Sequence, residues 1–352
     1  MRVLTVVGAR PQFIKAAPVS RVLRTRHDEF LLHTGQHYDV EMSDVFFKQL
    51  HIPEPDRNLE VGSGDHGAQT GAMLTGIEQV AKEYRPDWVL VYGDTNSTLA
   101  GALAAAKLHV RVAHVEAGLR SFDRRMPEEL NRVVVDHVSN LLLCPTQAAV
   151  GNLSREGIRG GVVVTGDVML DVFLQNVEVA RRECTIVAKL GLKQGAYHLL
   201  TVHRPENTDD PAPLGAILAG VASSQTKTVF PLHPRTRNAL ASVGAAVPAN
   251  LMMIDPVGYR EMLALEDSAA LILTDSGGVQ KEAYFAGKPC ITLRKSTEWP
   301  ETVEAGWNTL TGADQELIRA ALRLPHPRGE RPELYGDGHA ADRVVSALEL
   351  ET

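Results

Sequence analysis

Residues 88–116 read WVLVYGDTNSTLAGALAAAKLHVRVAHVE. Trp88–Tyr92 and Val110–Val115 are short, nearly continuous apolar runs, the mark of strands buried on both faces. The stretch between them, Asn96–Leu108, has helical spacing, and Thr95 and Asn96 are both able to cap its start. Two buried strands joined by a helix make a βαβ unit and hence a parallel sheet. Polar residues follow each strand at once: Gly93, Asp94, Thr95 and Asn96 after the first, Glu116 after the second. In a doubly wound sheet that edge, the carboxyl ends of the strands, is where ligands bind.

The same alternation continues on both sides. Val3–Val7, Phe30–Thr34, Leu141–Cys144 and Val162–Thr165 read as further strands. Ile14–Arg24, Thr70–Tyr84, Glu128–His137 and Gln147–Glu156 read as helices. This predicts a first Rossmann-like domain over residues 1–168. After a helical connector, Asp171–Lys189, the pattern restarts with strands at Leu199–Val202, Thr228–Leu232, Leu251–Ile254, Leu271–Leu273 and Cys290–Leu293. That predicts a second doubly wound domain over 169–335. Residues 336–352 form a final helix expected to pack back on the first domain. The fold class expected is α/β: two Rossmann-like domains around a central cleft. The length of 352 residues agrees with two domains at ~150 residues each.

Composition narrows the class. With 44% hydrophobic and 22% charged residues the chain is an ordinary globular protein, not a disordered or fibrous one. A net charge of −7 argues against a general nucleic-acid binder but leaves room for a local anion pocket. Cys144, Cys184 and Cys290 are odd in number and widely spaced, so neither a disulfide framework nor a zinc knuckle is expected. No His/Cys cluster has metal-ligand spacing, so no metal is expected. No apolar run is long enough to span a membrane, and the start MRVLTVVGARPQF is too short for a signal sequence. A cytoplasmic enzyme without membrane insertion is expected.

The chemistry gathers at strand ends. Gly8-Ala9-Arg10-Pro11 gives a tight turn, a cation and a helix-start proline, with Lys15 one turn inside, which suits a phosphate or a carboxylate. No Gly-x-Gly-x-x-Gly follows the first strand, so a dinucleotide is not indicated. Asp94 is not needed as a cap. Glu116 opens a polar loop, Ser121 to Arg125, that runs into Pro127-Glu128-Glu129. Glu129 has a plain reading as first-turn helix electrostatics. Asp94, Glu116 and Glu128 all come from the same sheet edge, and crowding of like charges separates an acid from a base. In the second domain His203-Arg204-Pro205-Glu206-Asn207 ends one strand. Asp275-Ser276-Gly277-Gly278 ends another, opening backbone N–H groups toward a phosphate, with Glu282 placed to accept ribose hydroxyls. In the polar loop Lys295–Glu301, Trp299 is open to stacking or to packing.

Taken together, GARPQFIKAAPV, HTGQHYD, VYGDTNST, HVEAGLR, PEELNR, VTGDVMLD, HRPEN, DSGGVQKEA and TEWPETVEAG resemble the non-hydrolysing UDP-N-acetylglucosamine 2-epimerase family over residues 8–306. The resemblance implies a glycosyltransferase-B-like pair of domains, a homodimer, a UDP-sugar substrate and no cofactor. It implies inversion at C2 by elimination of UDP to a 2-acetamidoglucal and re-addition. It assigns Asp94, Glu116, Glu128 and His203 to catalysis, with His203 near the diphosphate. Arg10, Lys15, Arg204, Ser276, Gly277, Gly278 and Glu282 are assigned to the substrate and its UDP. Gln36 and His37 match the region where some members bind a second, activating substrate molecule, but GDHGAQT lacks the arginine of the regulated members.

The chain departs from the commonest members. The loop LRSFDRRMP is shorter by two residues, HRPEN stands for HRREN, and TEWPE for TERPE. These variants look like the branch acting on UDP-2,3-diacetamido-2,3-dideoxy-glucuronate, where Arg124 and Arg125 would meet the extra carboxylate. A two-domain UDP-sugar glycosyltransferase is the alternative of a different reaction class.

Overall fold

Strands β1 (Arg2–Val7), β2 (Asp28–His33), β3 (Arg57–Asn58), β4 (Trp88–Tyr92), β5 (Arg111–Val115), β6 (Leu141–Cys144) and β7 (Val162–Val164) form one sheet in the order β3-β2-β1-β4-β5-β6-β7. All its pairings are parallel. In this computed structural model the described residues are 1–36, 53–243, 247–325, 327 and 330–351. A second sheet holds β8 (Tyr197–Thr201), β9 (Lys227–Pro231), β10 (Leu251–Ile254), β11 (Leu271–Thr274), β12 (Cys290–Thr292) and β13 (Asn308–Leu310), ordered β10-β9-β8-β11-β12-β13 and again wholly parallel. Both orders reverse beside the first strand of the sheet, the doubly wound pattern of Rossmann-like folds, and ligands favour that switch point.

The chain divides into two compact units, Met1–Leu174 with Glu333–Thr352, and Gln175–Pro332. The division falls inside the helix Val168–Glu183. The last helix, Ala340–Leu350, belongs to the first unit: the N–H groups of Ala340 and Ala341 donate to Asp171 at 3.1 and 2.8 Å. An acid at a helix N-terminus meets the unpaired N–H groups there.

The strands form because their runs of Val, Leu and Ile are covered on both faces. Leu4, Val6, Val89, Val91 and Val112 pack with Met73, Ile77, Ala100, Ala102, Ala104 and Ala105 in the first core. The alanine-rich face of Asn96–Lys107 lets that helix lie close to the sheet; a Cβ on its Gly101 would fall 2.9 Å from Val91. In the second unit Leu200, Phe230, Leu271 and Leu273 pack with Leu214, Ile217 and Leu218.

Register places the strand ends. Tyr92 pairs with Val115, so Gly93 and Glu116 leave the first sheet at one level. Thr201 pairs with Thr274, which brings the turn at His203 beside Asp275. The connector read as Asp171–Lys189 is two helices, Val168–Glu183 and Ile186–Lys189, and other details also differ from the sequence reading. The strands β3 and β13 are too short to show a periodicity, and the helix His66–Tyr84 begins before Thr70, in a polar first turn.

Candidate active site

In the first unit the turn after β1 is locked by Gln12. Its Oε1 accepts the N–H groups of Gly8 and Ala9 at 2.8 and 3.1 Å, and its Nε2 donates to Tyr92 O and Thr98 Oγ1 at 2.8 and 3.0 Å. One buried side chain thus joins the β1 turn to the β4 turn. Gly8 is required there, because a Cβ would collide with Ser97 and Thr34. Arg10 is exposed at the start of the helix Arg10–Arg26.

Lys15, inside that helix, forms an ion pair with Glu116, whose side chain is 5% exposed. Glu116 has φ +68°, and Gly93 beside it has φ +65°. A Cβ on Gly93 would stand 3.3 Å from Lys15 Nζ and 3.5 Å from Glu116 Oε2. A non-glycine residue at positive φ costs energy, and such strain is held where the surrounding structure insists on it. Here the bonds of His114, on β5, insist. His114 Nδ1 lies 2.7 Å from Asp136 and its Nε2 2.7 Å from Gly93 O. Asp136 also accepts from Gly118 N and Arg120 Nη1, and Arg120 pairs with Glu156. Burial works against ionisation of Asp136, but His114 and Arg120 outweigh it and hold its carboxyl below the usual range.

Thr95 caps the helix Asn96–Lys107 by accepting from Thr98 N, which leaves Asp94 to other work. Asp94 Oδ2 accepts from Arg132 Nη2 at 2.5 Å, and Arg132 Nη1 reaches Glu129 Oε2 at 2.8 Å. Asn131 adds a bond to Asp94 O at 2.9 Å. Asp94 and Glu116 therefore each meet a cation, rather than being left to crowd one another.

Glu128 and Glu129 diverge. Glu129 is buried and accepts from Ser121 N, Ser121 Oγ and Phe122 N at 2.8, 3.0 and 2.9 Å. Burial raises its carboxyl, and these bonds with Arg132 bring it below the ordinary value. Glu129 is thus more than helix electrostatics: it closes the loop. Glu128 is half-buried on the adjoining helical position. Arg124 and Arg125 are exposed, and Arg125 is bidentate with Asp123 at 2.8 and 2.7 Å.

In the second unit His203, with a 40% exposed side chain, has its Nδ1 3.1 Å from Asp275 Oδ1. Arg204 is half-buried at the N-cap of the short helix Pro205–Thr208. Ser276 caps Gly277–Phe285 by accepting from Val279 N at 3.4 Å, so Gly277 and Gly278 form its first turn. Trp299 packs: its Nε1 donates to Gly277 O at 3.1 Å, and Lys281 Nζ lies 4.2 Å from its ring centroid. Arg294 makes a bidentate pair with Glu298, both bonds 2.9 Å, and fixes the same loop. Glu282 is buried in its own unit; burial pushes its carboxyl up to about 7, against the Tyr259 hydroxyl and Lys281.

The structure thus brings Lys15, Asp94 and Glu116 together at one sheet edge, and His203 with Ser276–Gly278 at the other. Sequence reading missed Arg132, Asp136 and the link from Asp275 to His203. Arg132 had one signal, its i,i+3 spacing from Glu129. His37 lies outside the described residues, while Gln36 is buried and accepts from Ser97 N and Oγ at 3.1 and 2.7 Å. Among the described residues no group of three or more His, Cys, Asp or Glu is arranged to hold a metal ion. None of their helices is long and apolar enough to cross a membrane.

Known proteins share this layout. The profile of the family described as UDP-N-acetylglucosamine 2-epimerase matches residues 21–349. A UDP-N-acetylglucosamine 2-epimerase homolog of Methanococcus maripaludis is 50% identical over 354 residues, 99% of each chain. The UDP-2,3-diacetamido-2,3-dideoxy-D-glucuronate 2-epimerase of Pseudomonas aeruginosa is 48% identical over 359 residues, also 99% of each. The crystal structure of Methanocaldococcus jannaschii UDP-GlcNAc 2-epimerase with UDP-GlcNAc and UDP superposes with a TM-score of 0.91 at 43% identity, covering 99% of this chain and 100% of that one. The chain belongs to the UDP-N-acetylglucosamine 2-epimerase family.

Proposed function

We propose that this protein inverts C2 of a UDP-linked 2-acetamido sugar, converting UDP-N-acetylglucosamine to UDP-N-acetylmannosamine. The observation that carries the reading is the pair of cation-held carboxylates, Asp94 and Glu116, at neighbouring strand ends of a family member. A base takes the C2 proton, the C2–H electrons form the C1=C2 bond of a 2-acetamidoglucal, and the C1–O pair leaves with UDP. UDP then returns to C1 while an acid delivers a proton to the other face of C2. Asp94, Glu116 and Glu128 serve these transfers. Lys15 and Arg132 hold the first two carboxylates in place. His203 and Arg10 stabilise the charge growing on the departing diphosphate. Arg204, the Ser276–Gly278 turn and Glu282 hold the UDP. The reaction needs no redox cofactor.

Incubation with UDP-N-acetylglucosamine alone, followed by proton NMR, tests this. The manno epimer is expected. No conversion of any UDP-acetamido sugar, with transfer to an added acceptor instead, would mark a glycosyltransferase.

A second reading, the 2,3-diacetamido uronate as substrate, draws support from the Pseudomonas aeruginosa relative and from Arg124 and Arg125 on the shortened loop. If it is right, Arg124→Ala with Arg125→Ala costs about tenfold or more in kcat/KM on the uronate and little on the neutral sugar. We also assign a homodimer, supported by the exposed apolar side chains of Phe122, Leu130 and Val134, and light scattering should show twice the chain mass. The three free cysteines fit a cytoplasmic setting.

A further inference from the structure

Asp275 is the residue just before the phosphate turn, and its side chain is fully buried. The backbone N–H of His203 donates to both of its oxygens, at 3.1 and 3.0 Å, and that of Arg204 to Oδ2 at 2.9 Å. Asn207 Nδ2 reaches the same oxygen at 3.1 Å and also donates to Leu293 O at 3.1 Å. His203 Nδ1 stands 3.1 Å from Oδ1. Burial opposes ionisation of Asp275, yet His203, Arg204 and Asn207 outweigh it and hold the carboxyl below its usual range.

The backbone bonds only require an acceptor, and they fix the turn. The close approach to the ring carries chemical consequence. An ionised carboxylate 3.1 Å from Nδ1 accepts and never donates, so it favours a hydrogen on that nitrogen of His203. Nε2 is then the nitrogen left for a ligand, on a side chain that is 40% exposed. The ring of His233 lies 5.9 Å away between centroids, and its Nδ1 accepts from Arg235 N at 3.3 Å. Asp275 is also joined in sequence to Ser276, which caps the helix whose N-terminus presents its N–H groups.

We propose that Asp275 is a positioning residue. It fixes the tautomer and plane of the His203 ring so that Nε2 meets the diphosphate, and it clamps the histidine turn to the phosphate turn. The ligand in this proposal rests on the UDP-sugar reading; the tautomer does not.

Two-bond proton–nitrogen spectra of the full-length protein, with and without UDP, test it directly. His203 is assigned by the signals lost in His203→Gln. A protonated Nδ1 is expected in both states. An Nδ1 without its hydrogen overturns the proposal, whatever any variant does. The near-isosteric Asp275→Asn offers an amide N–H toward Nδ1 and favours the opposite tautomer. In that variant the Nδ1 hydrogen should be lost and kcat should fall about 10²–10⁴-fold, with KM within about threefold. A retained Nδ1 hydrogen and a kcat within about threefold of wild type contradict the assignment. If the wild-type spectrum is as expected but no UDP-sugar is turned over, the proposed function fails and the link from Asp275 to His203 stands.

Discussion

In the first unit Glu116 meets Lys15, Asp94 meets Arg132, and Asp136 meets His114 and Arg120. In the second, Glu266 is wholly buried, and among the described residues neither of its carboxyl oxygens finds a hydrogen-bond partner. Burial and the nearby Glu282 push Glu266 well above the usual carboxyl range, and burial raises Glu282 too. The two units therefore hold these acids differently. The first pairs each with a cation. In the second, burial raises Glu266 and Glu282, while Asp275 stays below the usual range. The contrast follows the work proposed for each unit. Proton transfer needs carboxylates aimed at carbon, which the cations of the first unit provide, whereas in the second Glu266 and Glu282 hold their protons by burial and Asp275, beside the phosphate turn, is held below the usual range by its hydrogen-bond donors.

The largest effect should come from breaking the first arrangement. Glu116→Gln or Asp94→Asn keeps shape and removes basicity, so turnover should fall about 10²–10⁴-fold. UDP affinity, measured by calorimetry, should stay within about threefold, because Arg204, Ser276–Gly278 and Glu282, proposed to hold UDP, lie in the other unit and Arg10 is left unchanged. Loss of UDP binding along with turnover would erase the division of labour. Gly93→Ala attacks the same site through the backbone. It forces a side chain into positive φ against Lys15 and Glu116, at a cost of about 1–2 kcal/mol. A fall in melting temperature of a few degrees and a clear loss of kcat are expected; an unchanged protein would show that the pair tolerates displacement.

The buried acids of the second unit predict a pH dependence with a definite sign. Glu266 and Glu282 bind protons more tightly folded than unfolded. Their contribution is fully present below about pH 4.5, the ordinary carboxyl value, and is lost as pH rises through about 7, where Glu282 titrates. Glu266→Gln removes one of these groups. Its melting temperature should exceed that of the wild type at pH 8, and the gap should close toward pH 5. Asp136, held below its usual range, acts the other way, and its contribution is lost only in acid. A gap that widened toward pH 5 would reverse the comparison. The smallest effect is expected at Arg125, whose bond to Asp123 is exposed to solvent. Arg125→Ala should leave the melting temperature unchanged and report only on the choice of sugar.

The strands that carry chemistry were legible because they are continuous apolar runs ended by polar residues. Trp88–Tyr92, Leu141–Cys144 and Leu251–Ile254 have the bounds read from sequence. The restart of the pattern after residue 168 revealed two α/β units, although the units divide after Leu174, within a helix where no composition changes. Side-chain direction was less legible. Glu128 and Glu129 are adjacent on one helix, about 100° apart, and sequence does not say which turns inward. Asp275 stood in a quoted motif, but its link to His203 depends on the pairing of Thr201 with Thr274 across strands far apart in the chain. The sequence marks Lys15 and Glu116 separately, and only the fold joins them.

The central claim is that carbon C2 loses and regains its proton. Running the reaction in heavy water and reading the product by proton NMR and mass spectrometry tests it most directly. An epimer carrying one deuterium at C2 is expected, because the proton delivered to the glucal comes from a group in exchange with solvent. An epimer that keeps its original C2 hydrogen would contradict elimination and re-addition.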